Sequence, residues 1–521
     1  MKNAYGQYFT PKIMADFMVR LSTIPKTAYI LEPSCGEGVF LNSLAEYGFK
    51  NITAYEIDDS LSNIYPVHYQ SFVSTDIKEK FDLIIGNPPY IRWKNLEPHL
   101  KDELSNNELW RTYCNSLCDY LYIFIIKSIF LLKENGELIF ICPEYWLNAS
   151  HAQKMRDFML ENGYIEHIIS FNESKIFDKV ASSNIVFKYI KSKNKNKHSI
   201  KITKLTTPKK ITPEFLDDIF HQNTIENVVY FEIEPFEKNQ IWSLQPNNIK
   251  KQLSKFETLC VQINQTVDLF KKNTQLITLK DVCDIGNGMV SGLDKAFQYP
   301  SSILSSSERN SLIRVIKAKD LMPFVANNEI PYIFIDENMS EQEFQEYYPN
   351  FYIHLQNYKD DLNNRYQYNK NIPYWQWVFL RNYKLFSQKQ KRIFVPCKER
   401  ISHKDYFRFA LVDEYFYPTQ DVTAIFKKES THESIEYITA YLNQPIIFQW
   451  LKYNGVLKGN IVEFSEKPLA SIPFKTIDWH NDNEVKLHNE ISELTHKLVQ
   501  NKDISLSPII QSKFQQLLRV S

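Results

Sequence analysis

Short apolar runs alternate with amphipathic stretches along the first 190 residues of the chain. Three apolar runs have the length and composition of buried strands: Tyr29 to Leu31, Ile52 to Tyr55 and Phe81 to Ile85. Two longer stretches have the pattern of helices: Val39 to Tyr47 and Leu117 to Leu132. The same pattern predicts further strands at 137–142, 165–171 and 184–190 and a helix at 152–161. Strands that alternate with helices indicate an α/β fold with a doubly wound, mainly parallel sheet.

The pattern changes after residue 190. Residues 191–210 carry eight lysines and no acidic residue, which is typical of a solvated loop and equally of a contact with a DNA backbone. Residues 211–275 predict a helical connector, and the remainder mixes short β-like runs with helices, including one at 484–500. We therefore expect an α/β domain at 1–190, a connector at 191–275 and an α+β domain at 276–521.

Composition limits the possible classes of protein. A chain of 521 residues is long enough for two or three domains, and its 61 basic and 61 acidic residues leave no net charge that would attract a polyanion. Seven scattered cysteines do not suggest a disulfide framework, and no cluster with metal-ligand spacing is present, so no metal is expected. No signal peptide opens the chain, and its most apolar run contains Lys127. A soluble cytoplasmic protein without a membrane span is expected.

Asn87-Pro88-Pro89-Tyr90 directly follows the predicted strand at Phe81 to Ile85. The Asn87 side-chain oxygen and the Pro88 carbonyl can accept both hydrogens of a planar amino or amide nitrogen. Such a grip favours pyramidalisation of that nitrogen, so that its lone pair can point at a methyl donor. The prolines fix φ, and the Tyr90 ring offers a stacking face for a planar base. Taken alone, the motif also fits an ordinary proline-rich turn.

Three acidic positions precede this turn at predicted strand ends. Leu31 to Leu41 reads Leu-Glu-Pro-Ser-Cys-Gly-Glu-Gly-Val-Phe-Leu, a strand, a glycine turn and a helix start that match neither a dinucleotide fingerprint nor a P-loop. Its acids would repel phosphate and suit a cationic amine or sulfonium. Glu56 ends the second strand, where a carboxylate suits a ribose diol, and Asp76 follows the third. Thr10-Pro11 predicts the cap and the first turn of a helix.

In this order, the motifs resemble those of the γ-class, TaqI-like DNA adenine-N6 methyltransferases of bacterial restriction–modification systems. The matching blocks are Phe9-Thr10-Pro11, the Glu32 loop, Glu56, Asp76 and the Asn87 turn. The short stretch between the Glu32 loop and the Asn87 turn leaves no room for a recognition domain, which must therefore follow the catalytic one. The resemblance covers residues 1–190 strongly and the TaqI-like target-recognition domain at 276–521 more weakly.

The resemblance implies a Rossmann-like class I methyltransferase with S-adenosylmethionine as methyl donor. Residues that would bind this cofactor are Thr10, Glu32 and Ser34 at the methionine end, Glu56 at the ribose, and Asp76 and Pro89 at the adenine. Asn87 and Pro88 would hold the target N6 of an adenine flipped out of duplex DNA, and Tyr90 and Phe177 would flank the base. For Phe177 a plain core position is the competing interpretation.

The second half offers positive and aromatic residues for DNA but no readable code. The candidates for DNA contact are Lys317, Lys319, Trp375, Trp377, Lys398 and Arg400. Other hypotheses remain open: a methyltransferase that acts on RNA or protein glutamine, a catalytically silent DNA-binding protein, or a fused restriction–modification enzyme. The expected partners are double-stranded DNA and a separate cognate restriction endonuclease, and a monomer is expected.

Overall fold

The structure is a computed structural model that describes residues 8–177, 183–194, 198–264, 273–300, 302–402, 404–458 and 460–520. The chain divides into two compact units, Met1–Lys250 with Lys458–Asn460 and Lys251–Leu457 with Ile461–Ser521. The division at Lys250 lies inside the range 191–275, which was expected to be a connector. No described helix is long and apolar enough to cross a membrane.

One mixed sheet organises the first unit. Its strands are β1 Tyr29–Glu32, β2 Asn51–Glu56, β3 His68–Tyr69, β4 Phe81–Gly86, β5 Leu132–Pro143, β6 Gly163–Ser170, β7 Asn184–Lys191, β8 Ile200–Leu205 and β9 Val228–Ile233. They lie in the order β3-β2-β1-β4-β5-β7-β6-β8-β9, and β7 runs antiparallel to both β5 and β6. The predicted doubly wound sheet is confirmed, and β8 and β9 extend it into the expected connector.

Helices cover both faces of this sheet. They are α1 Lys12–Arg20, α2 Val39–Glu46, α3 Pro98–Asn106, α4 Glu108–Tyr113, α5 Leu121–Leu131, α6 Gln153–Asn162 and α7 Pro213–Phe220, and α8 Asn247–Thr258 contains the division between the units. Alternate strand residues face opposite sides, so Leu31 packs in the core under α3 to α6 while Ile30 packs with α1, α2 and α7. α5 begins later than the sequence predicts because Asn115 to Cys118 closes a turn.

The second unit combines several small sheets with helices, as expected for an α+β domain. Its strands are β10 Val261–Asn264, β11 Asn273–Leu276, β12 Cys283–Asn287, β13 Leu312–Ile316, β14 Ile330–Ile333, β15 Arg392–Pro396, β16 Lys398–Arg400, β17 Ala410–Val412, β18 Phe416–Pro418, β19 Val422–Lys427, β20 Val456–Lys458 and β21 Ile461–Glu463. The sheet orders are β10-β11, β12-β19-β15-β17, β14-β13-β18 and β16-β21-β20.

Short helices connect these strands, and longer ones close the chain. The helices are α9 Leu279–Val282, α10 Asp294–Phe297, α11 Ser306–Asn310, α12 Glu341–Tyr347, α13 Pro349–Gln356, α14 Lys359–Asn363, α15 Tyr383–Phe386, α16 Ile435–Leu442, α17 Pro445–Asn454, α18 Glu466–Ala470, α19 Asp482–Asn501 and α20 Ser507–Val520. α16 begins where Ser434 accepts a hydrogen bond from the Tyr437 N–H, a side-chain cap. α19 matches the helix that the sequence predicts at 484–500.

Candidate functional site

Three candidate side chains come together at one edge of the large sheet. β1 pairs in parallel with β2 on one side and with β4 on the other, so the carboxyl ends of all three strands meet. Glu32 is the last residue of β1, Glu56 is the last of β2, and Asn87 directly follows β4. Strand order reverses at β1, and this reversal is where open α/β sheets place their ligands.

A cavity of about 380 Å³ opens at this edge. This volume lies within the usual range for sites that enclose a small organic ligand. Its walls include Tyr8, Thr10, Glu32, Ser34, Gly36, Glu56, Ser71, Phe72, Asn87, Pro88 and Pro89. Seven of the candidate cofactor and base residues therefore line one cavity: Thr10, Glu32, Ser34, Glu56, Asn87, Pro88 and Pro89.

Two buried carboxyl groups give the cavity an acidic wall. Neither Glu32 oxygen has a hydrogen-bond partner in the described part of the chain, and burial together with nearby Glu56 raises the pKa of Glu32 well above its usual range. Glu56 accepts hydrogen bonds from the N–H groups of Gly36 at 2.7 Å and of Ile57 and Asp58 at 2.9 Å. A cationic ligand would stabilise the Glu32 carboxylate, whereas a phosphate would be repelled.

The loop between β1 and α2 forms a second wall. Gly36 and Gly38 have φ angles of +52° and +80°, which side-chain-bearing residues adopt only under strain. Ser34 Oγ donates to the Asn87 carbonyl at 3.3 Å, and the loop is thereby connected to the turn after β4. Burial and the neighbouring Glu32 and Glu56 raise the pKa of Cys35, so its thiol stays protonated.

The Asn87 amide is held in one orientation. Its Nδ2 donates to the Tyr8 carbonyl at 2.8 Å and to Thr10 Oγ1 at 3.1 Å. Its Oδ1 is buried and has no hydrogen-bond partner among the described residues. The acceptor atom that sequence analysis assigned to a substrate nitrogen is therefore available, and two bonds on the opposite side of the amide fix its direction.

Tyr90 and Phe177 are each close to one further aromatic ring, that of Tyr8, which stacks on Tyr90 and is tilted against Phe177. Burial raises the pKa of Tyr90, which keeps its hydroxyl protonated. Phe177 is 3% exposed and belongs to the same core cluster as Met14, so a packing role coexists with its position near Tyr8. Residues 178–182 of the segment expected around Phe177, and Gly6-Gln7 before Tyr8, lie outside the described residues.

Two sequence assignments in the first unit need correction. Pro11, not Thr10, is the N-cap of α1, and Thr10 Oγ1 instead accepts from Asn87. Asp76 does not reach the cavity: its side chain is 76% exposed and pairs with Lys78. Because β3 ends at Tyr69, the chain passes the cavity at Ser71 and Phe72, several residues before the acid.

Lys127 holds the segment that lines this part of the cavity. Its buried Nζ donates to the carbonyls of Phe72 at 2.5 Å, Val73 at 3.1 Å and Thr75 at 2.6 Å. Burial lowers the pKa of Lys127 to about 8. The sequence indicated only that this lysine interrupts an apolar run; a lysine inside an otherwise apolar helix was the available signal for a buried polar role.

The candidates for DNA contact separate into buried and exposed residues. Trp375 and Trp377 are 6% and 4% exposed and pack in the core of the second unit. Lys317 donates to Asp294 at 2.6 Å and pairs with Asp421 at 2.7 Å, so two carboxylates already neutralise it. These three residues therefore have structural roles, contrary to expectation. Lys319, Lys398 and Arg400 are exposed, and no group of three metal-ligating side chains occurs among the described residues.

Comparison with known proteins adds sequence relatives that span almost the full chain. The Eco57I restriction-modification methylase family matches residues 41–177. The type II methyltransferase M.HindII of Haemophilus influenzae is 49% identical over 519 residues, which are 99% of this chain and 98% of the relative. M.HincII, also of Haemophilus influenzae, is 47% identical over 517 residues, again 99% and 98%.

A similar fold occurs in a solved type IIL restriction–modification enzyme, MmeI, whose structure is in complex with DNA. The match has a TM-score of 0.58 and 11% identity, and it covers 97% of this chain and 72% of that one. At this identity the match shows the fold alone.

Proposed function

Since this chain belongs to the type II methyltransferases of restriction–modification systems, we propose that it methylates N6 of an adenine that it flips out of duplex DNA. S-adenosylmethionine is the methyl donor of this family, and DNA is the substrate. The observation that carries the choice of an amino nitrogen is the Oδ1 of Asn87 at the end of β4, which is buried and has no hydrogen-bond partner among the residues that the structure describes.

The residues of the cavity fit S-adenosylmethionine. This ligand carries a positive sulfonium and a positive amine, and the cavity offers the Glu32 carboxyl, which no described residue engages in a hydrogen bond. In the proposal, Thr10, Glu32 and Ser34 bind the methionine part, Glu56 binds the ribose, and Phe72 and Pro89 flank the adenine ring. S-adenosylmethionine supplies a methyl group that is activated by the positive sulfur. The protein contributes position and the exclusion of water.

Asn87 and Pro88 hold the amino nitrogen to be methylated. Asn87 Oδ1 accepts one N–H and the Pro88 carbonyl accepts the other. The lone pair then turns out of the plane of the base and towards the methyl group. Because Nδ2 already donates to Tyr8 and Thr10, the amide resists rotation to the orientation that would repel an amino group. The nitrogen loses its proton to water after transfer, and no strong general base is needed.

Base flipping follows from the depth of this site. An amino group inside the duplex cannot reach a buried acceptor at a sheet edge, so the nucleotide must rotate out, at a cost of a few kcal/mol. Stacking on Tyr90 and contact with Phe177 return about 1–3 kcal/mol per aromatic contact. Adenine has two fused rings and therefore stacks on such aromatic side chains over a larger area than cytosine does.

Methylation of a carbon atom is disfavoured by the same site. Transfer to C5 of cytosine needs a thiolate that adds to the ring, and Cys35 is the cysteine in the cavity wall. The raised pKa of Cys35 keeps it in the thiol form. The second unit, with exposed Lys319, Lys398 and Arg400, supplies target recognition in this proposal, and a separate endonuclease is the cognate partner.

The product identifies the reaction. Purified protein is incubated with tritium-labelled S-adenosylmethionine and DNA from a bacterium without DNA methylation, and the DNA is digested to nucleosides. Label in N6-methyldeoxyadenosine supports the proposal, and sequencing of the modified DNA then gives the recognition sequence. Label in N4-methyldeoxycytidine would keep the role of Asn87 but refute adenine as the target. Label in 5-methyldeoxycytidine, or in RNA or protein only, would overturn the assignment of the site.

A further inference from the structure

The Tyr8 ring lies against the face of Tyr90. The two ring centroids are 4.9 Å apart, and the ring planes are 5° from parallel. The same Tyr8 ring is 6.1 Å from the Phe177 ring, at an angle of 46°. The Tyr8 ring is therefore close to both aromatic residues to which the proposed function gives the target base, and it stacks on one of them, Tyr90.

A second planar ring cannot use the surface that Tyr8 covers. Parallel stacking at this distance is close contact, with ordinary separations of 4.5–7 Å between aromatic centroids. An adenine that stacks on the same face of Tyr90 must take the place of the Tyr8 ring. We propose that Tyr8 is a placeholder that occupies the target-base position and is displaced by the flipped adenine. This inference rests on the proposed function, since it uses Tyr90 as the stacking residue.

Tyr8 can leave without disturbing Asn87. The contact that orients Asn87 comes from the backbone carbonyl of Tyr8, whereas the placeholder is its side chain. Rotation about the Tyr8 side-chain bonds moves the ring and keeps the carbonyl at Asn87 Nδ2, while Thr10 Oγ1 supplies the second bond. One residue thus positions the amide through its main chain and fills the base site through its ring.

The placeholder has a physical advantage over an open cleft. It keeps unrelated planar groups off the face of Tyr90 on which it stacks. It also sets a threshold for base binding, because a flipped base must stack on Tyr90 more favourably than the Tyr8 ring does. An aromatic pair corresponds to an equilibrium factor of about two- to tenfold. Removal of the ring should strengthen binding of a flipped adenine by that factor.

A cycle of two proteins and two DNA duplexes isolates this competition. One duplex carries the target adenine, and the other has an abasic site at that position, both with the recognition sequence that the product experiment defines. Dissociation constants are measured with S-adenosylhomocysteine present, for wild type and Tyr8→Ala. We expect Tyr8→Ala to bind the adenine duplex about two- to tenfold more tightly, with little change for the abasic duplex, where no base competes.

The ratio of the two constants separates competition from a general structural effect, which would shift both duplexes equally. Tyr8→Trp, with a larger ring, should change the ratio in the opposite direction, and it tests the inference even if Tyr8→Ala folds poorly. An unchanged ratio in both variants, or weaker binding of the adenine duplex by Tyr8→Ala alone, overturns the inference. If the wild type makes no N6-methyldeoxyadenosine, the proposed function itself fails, and that result is visible before any Tyr8 variant is measured.

Discussion

Replacement of Asn87 by alanine tests the chemistry of the site most directly. Asn87→Ala removes the buried Oδ1, whose partner in the proposal is the amino nitrogen, and also the two Nδ2 bonds to Tyr8 and Thr10. These two losses have different consequences. The first acts on methyl transfer, and the second acts on stability and on the order of the segment before α1.

The size of the first effect follows from the charge that develops during transfer. The amino nitrogen becomes positive as the new bond forms, so its bond to Oδ1 becomes charge-assisted and strengthens. Loss of one preorganised hydrogen-bonding group of this kind costs about 2.7–4 kcal/mol, or about 10²–10³ in rate. The second effect is smaller, because two ordinary hydrogen bonds contribute about 1 kcal/mol each. Asn87→Ala should therefore melt a few degrees lower yet remain folded.

Single-turnover transfer of tritiated methyl at saturating cofactor and DNA measures the rate, and equilibrium dialysis measures cofactor affinity. We expect the rate to fall about 10²–10³-fold, with a cofactor dissociation constant close to that of the wild type. Asn51→Ala is the matched control: it removes an asparagine at the opposite edge of the same sheet, where Nδ2 donates to the Thr27 carbonyl. A rate for Asn87→Ala within fivefold of the wild type would refute the assignment of Oδ1 to the reacting nitrogen.

Four other substitutions have distinct expected outcomes. Tyr90→Ala should weaken binding of DNA with a flipped base about 5- to 150-fold, the equivalent of 1–3 kcal/mol, while cofactor affinity measured by dialysis changes little. Gly38→Ala places a Cβ against Asn63 Oδ1 at a φ of +80°, and should raise the cofactor dissociation constant and lower the melting temperature. Lys127→Met should raise the cofactor dissociation constant. Lys127 loses its proton above pH about 8 in the folded protein but keeps it to about pH 10.5 in the unfolded chain. The free energy of unfolding of the wild type should therefore increase with pH between these two values. Melting curves of Lys127→Met should lack this increase. Lys317→Met should lower the melting temperature without changing the salt dependence of DNA binding, in contrast to a phosphate contact.

The alternation of apolar runs was enough to predict the sheet because both of its faces are buried. β1 and β4 carry consecutive apolar residues, and each face contributes to a different core cluster, so their runs are continuous and bounded by turn residues. The Asn87 turn and the glycine loop were predictable for a local reason. Each follows a strand directly, so the strand end fixes its position.

The misplaced residues depend on distances that no local pattern encodes. Asp76 is expected at the cofactor adenine because it follows the third predicted strand. The strand β3 has only two residues, however, and the chain leaves the cavity well before this acid. Trp375 and Trp377 are of a residue type that can stack on nucleic-acid bases, but strands elsewhere in the second unit bury both of them. The contact between Tyr8 and Tyr90 joins residues 82 positions apart, and no spacing rule anticipates it.

The buried carboxyl of Glu32 links occupancy of the cavity to the acidity of the medium. With its raised pKa, Glu32 retains a proton at pH values where an exposed glutamate would not. Entry of a positive ligand favours the carboxylate, so the proton is released as the ligand binds. Over the pH range in which this group titrates, affinity for the ligand rises by up to about tenfold per pH unit. Heat of binding measured in two buffers of different ionisation enthalpy would reveal the released proton. Acidification of the medium should therefore weaken binding of a positive ligand in the cavity.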